Sequence, residues 1–339
     1  FYNRKDFFKE ALKSIINQNY GEWECIMVDD GSTDGSDIIA RGYEKKDNRF
    51  KYIKRTIQPK GANCCRNIGI DNANGDYVMF LDSDDLLTPD CIENRLKQVN
   101  TYFDHDFYVF NTVSFDEKKN FVLWNIDTAE DDLTRFLRLD GVWNISSPLY
   151  NKKFLKNSRK DVFLIYMPFL QDWELAVYLL SLPTKPKYIK FLNDKPSVLI
   201  RRHSNESISQ KGWITNFKLL RKFFIFRNIF IHIQKNKGFK IARHISFPMI
   251  EIVKEFLILK KFLLALSLLK LMYNLKLINL FDCIYILFVY PLFLARFKWK
   301  GFKLIHNFLF SLVKPFLSRS AFFQSFDILK HKLNFEFYK

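Results

Sequence analysis

Trp23-Glu24-Cys25-Ile26-Met27-Val28 is a short apolar run that stops abruptly at Asp29-Asp30-Gly31-Ser32-Thr33-Asp34. A run of this kind, closed by acidic residues and a glycine, reads as a buried strand followed by a turn. The pattern repeats outward from it. Asp6 to Asn17 sets Phe7, Phe8, Ala11, Leu12, Ile15 and Ile16 at helical spacing. Ser36 to Lys46 reads as a second helix, Phe50 to Ile53 as a second strand and Ala62 to Ala73 as a third helix. Asp76-Tyr77-Val78-Met79-Phe80-Leu81 is a third strand, ending in Asp82-Ser83-Asp84-Asp85. Strands alternating with helices predict an α/β fold, a Rossmann-like and mainly parallel sheet flanked by helices. Ligands on such sheets bind beyond the carboxyl ends of the strands, and both acidic clusters fall at that edge.

The chain of 339 residues suggests two domains. With 48% hydrophobic residues, 11 Gly and 10 Pro, it is neither collagen-like nor mostly disordered. Five cysteines without a repeated CxxC spacing argue for reduced thiols in a cytosolic setting. Charge is distributed unevenly. Residues 1–210 hold 30 Lys and Arg against 31 Asp and Glu, whereas residues 211–339 hold 23 against 5. A boundary is therefore expected near residue 210, with a mixed region over 100–210 that includes a strand at Phe107 to Ser114 and a helix at Asp172 to Leu182.

Each acidic cluster has two readings. A carboxylate at the end of the first strand can accept hydrogen bonds from a base or ribose, with Gly31 allowing a tight backbone turn, or it can close an Asx turn. Asp82, Asp84 and Asp85 repel one another unless a cation compensates, and hard oxygen ligands suit Mg²⁺ or Mn²⁺; otherwise they form a solvated loop. In Gly61-Ala62-Asn63-Cys64-Cys65-Arg66-Asn67-Ile68-Gly69, Arg66 could reach a phosphate bidentately or serve as a surface ion-pair partner.

Taken in order, these pieces resemble the family 2 glycosyltransferases of the GT-A fold, of the bacterial cell-surface glycan type. The matching residues are Tyr2-Asn3, Ser14-Ile15 with Gln18, Val28 to Asp34, Arg66-Asn67-Ile68-Gly69 and Gly75 to Asp85. The resemblance covers roughly residues 1–210, with 1–100 as the nucleotide-sugar half and 101–210 as the acceptor half. The family opens with an apolar strand before Tyr-Asn, and the chain has no initiator Met, so the sequence is expected to begin several residues inside the natural protein.

The resemblance implies roles. Asp30 would recognise the nucleotide base with Tyr2 stacking nearby, and Arg66 would lie near the nucleotide. Asp82-Ser83-Asp84 corresponds to the DxD motif, with Asp84 the direct ligand of Mn²⁺ or Mg²⁺ and Asp82 nearer the ribose and metal. Gln171-Asp172-Trp173 matches the family's Glu-Asp pair before an aromatic residue, making Asp172 the general base, with Gln171 replacing the usual acid; from the residues alone Asp172 could instead cap the helix that follows. Arg202 and His203 resemble the loop that closes over the diphosphate or acceptor. The implied activity is inverting, metal-dependent transfer from a nucleotide-diphosphate sugar to a glycan or lipid-linked acceptor, as in surface polysaccharide or lipooligosaccharide synthesis. The alternative is a non-catalytic nucleotide-sugar or membrane binder with an inert domain of this fold.

Residues 211–339 read as a basic, apolar helical region. Between 217 and 235, Lys218, Arg221, Lys222, Asn228, His232 and Lys235 are expected on one face, with Leu219, Leu220, Phe223, Phe226, Phe230 and Ile233 on the other. Such a helix suits an anionic membrane interface, which is the favoured reading, or else its apolar face packs inside a soluble helical subdomain whose lysines are solvated. The best spanning candidate, Leu277 to Ala295, contains Asp282 and Pro291, and its uncharged run from Cys283 is only 13 residues. Peripheral attachment on the cytoplasmic face of the inner membrane is therefore expected over spanning. Without a recognisable nucleic-acid module, nucleic acid is not an expected partner.

Overall fold

The structure, a computed structural model, describes residues 1–116, 121–123, 130–140, 142–165, 167, 170–192, 194–202, 216–259, 261–284 and 286–287. The chain divides into two compact units: Phe1–Phe136 with Gly141–Lys211, and Leu137–Asp140 with Gly212–Lys339.

In the first unit, helices α1 (Lys5–Ile16) and α2 (Ser36–Lys46) flank strands β1 (Cys25–Asp29) and β2 (Phe50–Lys54). The strands pair in parallel, Cys25 opposite Phe50 through Asp29 opposite Lys54. Phe8, Leu12, Met27, Ala40 and Phe50 form one buried cluster beneath them. Burial of each large side chain in it contributes about 1.5–3 kcal/mol relative to exposure. Phe1 lies beside β1, its amine donating to Val28 O (2.7 Å) and its carbonyl accepting from Asp30 N (2.9 Å). Tyr2 and Asn3 are thereby carried to the end of that strand.

Helix α3 (Ala62–Asn72) leads to β3 (Tyr77–Val78), β4 (Leu86–Leu87) and α4 (Cys91–Thr101). Then come β5 (Phe107–Phe110), β6 (Thr112–Phe115), β7 (Phe121–Leu123), α5 (Asp132–Leu137), β8 (Pro148–Asn151), α6 (Lys152–Ser158), α7 (Gln171–Leu180), β9 (Tyr188–Phe191) and β10 (Val198–Arg201). Two four-stranded sheets result, in the orders β3-β8-β5-β9 and β4-β10-β6-β7.

The α/β class is as expected, but the sheets are mixed. β1/β2, β5/β9 and β6/β10 are parallel, whereas β3/β8, β5/β8, β4/β10 and β6/β7 are antiparallel. Two local causes account for this. The expected strand at Phe107 to Ser114 breaks at Asn111, whose amide donates to Leu192 O (2.6 Å) and Asp194 O (3.0 Å), so the chain leaves one sheet and enters the other. The third expected strand is laddered only at Tyr77–Val78. Beyond it, Phe80 is buried against Phe163 and Tyr150, giving the chain side-chain rather than ladder partners.

The second unit contains α8 (Asn216–Lys237), α9 (Phe239–Ala242), a 3₁₀ turn (Arg243–Ile245), α10 (Ser246–Ile258), α11 (Phe262–Asn274) and α12 (Leu280–Ile284). Among the described residues no helix is long and apolar enough to cross a membrane. The residues from 288 to Ala295 of the spanning candidate lie outside the described residues.

The expected membrane-facing side of α8 is corrected here. Leu219, Phe223, Phe226, Phe230 and Ile233 are buried. That face is consumed by α9 and α10 packed against it, with Phe230 edge-on to Phe239. Lys222, expected on the basic face, is also buried, at 3% exposure. Burial pushes its ammonium down from 10.5 to about 8, with Glu255 pulling the other way. A lysine depressed by folding binds fewer protons in the folded than in the unfolded chain between those two values, so stability rises with pH through that window. Lys222→Met is therefore expected to stabilise the fold by roughly 1–3 kcal/mol at neutral pH. The gain should shrink as pH climbs toward 10.5, measured by urea denaturation across a pH series.

Candidate active site

The two aspartates that end β1 do different work. Asp29 is the turn former: its Oδ1 accepts from Gly31 N (3.1 Å) and Ser32 N (2.8 Å), and its Oδ2 accepts from Tyr52 Oη (3.1 Å). Gly31 sits at φ +90°, a conformation that costs a residue with a Cβ about 1–2 kcal/mol. Asp30 points to the other side. It is ion-paired with Arg55 Nε and accepts from Gly61 N (3.1 Å), and the Cys65 thiol also bonds to it. Burial, with Asp30 adding to it, pushes that thiol up to about 12, so it stays protonated and donates. Asn3 fastens the N-terminal motif to the same loop, accepting from Thr33 N (2.8 Å) and donating its own N–H to Ser32 Oγ (3.2 Å). Tyr2 is exposed, with Lys60 Nζ lying 3.2 Å from its ring centroid.

The second acidic cluster is held by three arginines. Arg66 Nη2 donates to Asp82 Oδ1 at 2.7 Å, and Arg4 Nε lies 3.7 Å from Asp84 Oδ2. Arg201, at the end of β10, donates its backbone N–H to Asp85 Oδ1 (2.9 Å) and its Nε–H to Asp84 O (3.0 Å). Its Nη2 reaches Glu10 (2.6 Å). Asp85 is buried, and that burial together with the charges of Asp82 and Asp84 pushes its carboxyl well above the usual range despite Arg201. Arg66 Nη1 is buried and makes no hydrogen bond among the described residues. A buried guanidinium N–H without an acceptor calls for one.

Asp172 lies in the first turn of α7, behind Leu170, which holds a left-handed backbone at φ +57°. Burial raises the Asp172 carboxyl above its usual range; the Trp173 N–H (2.8 Å) and the Arg66 charge pull it back, and Asp82 pushes it further up. Asp172 in turn raises the buried Tyr150 hydroxyl, secondary to burial itself. Arg66, Asp82 and Asp172 thus share one electrostatic neighbourhood.

The chain before α7 is stitched to α3. Asn67 donates to Phe163 O and accepts from Phe163 N, both at 2.8 Å. One turn earlier, Asn63 donates to Leu164 O (2.7 Å) and Met167 O (2.9 Å). Arg159 then grips Glu174 with both terminal nitrogens (2.7 and 2.6 Å) and donates to Val162 O. The helix that carries Arg66 thereby also positions the approach to Asp172.

Of the residues singled out in the sequence, Arg66 bonds to Asp82 and both act electrostatically on Asp172, Asp84 lies in the acidic loop with Asp82, and Asp30 accepts from Gly61 just before α3. Arg202 is exposed and is held through its backbone N–H to Phe115 O (2.7 Å); it is its neighbour Arg201 that reaches the acidic loop. His203 lies outside the described residues. Arg4 and Arg55 were not anticipated, nor were the contact of Arg201 with the acidic loop and the Asn63/Asn67 clamp. The only signal for the clamp was two amides spaced i, i+4 within the Arg66-Asn67 motif.

Residues 1–165 match the family profile described as "Glycosyl transferase family 2", and this part of the chain is a family 2 glycosyltransferase domain of the GT-A fold. Among curated proteins it is 36% identical over 125 residues to glycosyltransferase GlyA of Streptococcus pneumoniae, covering 37% of this chain and 18% of that protein. It is 34% identical over 106 residues to the GalNAc(5)-diNAcBac-PP-undecaprenol beta-1,3-glucosyltransferase of Campylobacter jejuni, covering 31% and 34%. The chain spans well under two thirds of the length of these relatives. Among solved structures, S. aureus TarS 1-349 in complex with UDP-GlcNAc superposes with a TM-score of 0.58 at 18% identity, over 75% of this chain and 70% of that one, a likeness of fold.

The stitching gives a direct test. Asn67→Ala leaves the backbone N–H and C=O of Phe163 without their partners, and an unsatisfied buried polar group costs about 1–3 kcal/mol. Urea denaturation should report a loss of that size, and proteolysis around residues 159–167 should accelerate.

Proposed function

We propose that the protein transfers a sugar, with inversion, from a nucleoside diphosphate sugar to a glycan or lipid-linked acceptor in bacterial cell-surface glycan synthesis. The observation that carries this is the convergence of Arg66, Asp82 and a carboxylate of raised pKa, Asp172, inside a family 2 glycosyltransferase domain. Asp30 and Tyr2 would take the base. Arg66, with one buried nitrogen lacking an acceptor, would take phosphate oxygens.

Among the described residues no three His, Cys, Asp or Glu side chains are grouped to hold a metal by themselves, so a divalent cation at the acidic loop would draw further oxygens from the donor diphosphate. What supports the assignment is that Asp82 is half exposed and that the carboxylates of Asp82 and Asp84 are hard oxygen donors two residues apart. Asp84, with Asp82, would hold Mn²⁺ or Mg²⁺, which when bound supplies charge neutralisation at the diphosphate leaving group. Asp172 would accept the proton of the acceptor hydroxyl as its oxygen attacks the anomeric carbon. A raised pKa brings such a base nearer the working pH, where Brønsted behaviour favours it. Gln171 beside it supplies an amide where the family usually places an acid.

The basic C-terminal region would attach the enzyme peripherally to an anionic membrane surface, where a lipid-linked acceptor is held. Placement on the cytoplasmic face fits this reading, because nucleotide sugars are made there.

Asp172→Asn should leave donor binding nearly intact and lower transfer about 10²-fold to 10⁴-fold. In the unsubstituted enzyme, activity should fall on acidification around a midpoint above the ordinary aspartate value of 3.8, because the base must be ionised. Transfer by Asp172→Asn at an undiminished rate would remove the base assignment. Asp84→Ala should abolish the difference in nucleotide affinity between Mn²⁺ and EDTA in calorimetry, and an enzyme whose affinity never depended on metal would refute the assignment of the acidic loop.

A further inference from the structure

The apolar surface of helix α11 is wider than the face it buries. Ala265, Leu268, Leu269 and Met272 are buried, packed toward α10. At about 100° per residue Phe262, Leu266 and Tyr273 fall directly beside that buried face, and Leu263 lies further round. These four are 45% to 83% exposed, Leu263 the most. Isolated exposed apolar residues need no explanation, but a contiguous stripe marks an interaction site. Ile258, before the helix, and Leu280, after it, are exposed as well.

Charge selects the occupant. Between Glu255 and Asp282 the sequence has four lysines and no acidic residue, and Asp282 itself is buried. Lys261, Lys270 and Lys276 are exposed around the stripe. A two-fold contact between copies would bring these lysines against their own kind, since such an interface pairs one patch with itself. An anionic headgroup layer instead accepts the lysines while the apolar ridge enters the acyl boundary. At 1.5 Å per residue the 13 residues of α11 extend about 20 Å, short of the roughly 30 Å hydrocarbon core, so the helix suits lying along the surface.

We infer that the outer face of α11, centred on Leu263 and Leu266, is the surface by which the protein docks on an anionic membrane. This rests on reading the basic C-terminal region as membrane-attaching, and replaces α8 as the element responsible.

The test is co-sedimentation of the full chain with phosphatidylcholine vesicles, with and without phosphatidylserine, at low and high salt. The unsubstituted protein should bind the phosphatidylserine vesicles. Leu263→Glu/Leu266→Glu keeps good helix formers on an exposed face, so the thermal midpoint should hold while vesicle affinity falls about tenfold or more. Lys270→Glu should weaken binding at low salt and leave a salt-resistant remainder. If the unsubstituted chain ignores anionic vesicles, membrane attachment itself is refuted and this inference with it. If it binds and the double variant binds equally, attachment stands and the α11 assignment is overturned. A double variant that, without vesicles, melts earlier or changes from dimer to monomer in light scattering would show the face already covered by this chain or by a second copy, again overturning it.

Discussion

The reciprocal pair of hydrogen bonds between the Asn67 side chain and the Phe163 backbone is the constraint on which the geometry of the site depends. A carboxamide is the one neutral side-chain group that can donate and accept in the plane of a peptide, so it substitutes for a strand partner where no strand runs. Asn63 repeats the contact one turn away, and two fixed points prevent the segment from pivoting. Because Arg66 lies between these residues on the same helix, its guanidinium and the approach to Asp172 cannot move independently.

Electrostatics around the acidic loop follow from that rigidity. Asp82, Asp84 and Asp85 can stay close only because Arg66, Arg4 and Arg201 approach from α3, the N-terminal segment and β10 respectively. Charges recruited from such distant parts of the chain make the loop a junction of the first unit, which shares its tertiary structure among residues far apart in sequence.

Much of this was legible in the sequence for a physical reason. Apolar runs that end in acidic turns are local signals, and the ends of the first three helices and first two strands fall within one or two residues of their observed positions. Asp30, Arg66, Asp82 and Asp84 could be read because strand ends and helix starts announce them. The signals that failed are non-local. Nothing near Asn111 announces that its side chain will turn the strand, because its acceptors, Leu192 and Asp194, lie some eighty residues away. Arg55, Arg4 and Arg201 look like ordinary surface cations until the fold brings them to carboxylates. On α8 the helical period separated the apolar face correctly but could not say whether that face meets lipid or protein, and Lys222 falls on the buried edge.

Leu170 carries a further consequence. A leucine in the left-handed region is held about 1–2 kcal/mol above its relaxed backbone, and the cost is borne immediately before the helix turn that presents Asp172. Glycine would accept the same torsion freely, but it would also admit many others, widening the arc through which the carboxylate can swing. The branched side chain therefore works as a ratchet pawl, keeping the chain in an unfavourable setting from which few alternatives are open. Selection for a more stable protein and selection for a sharply aimed carboxylate would pull this single position in opposite directions.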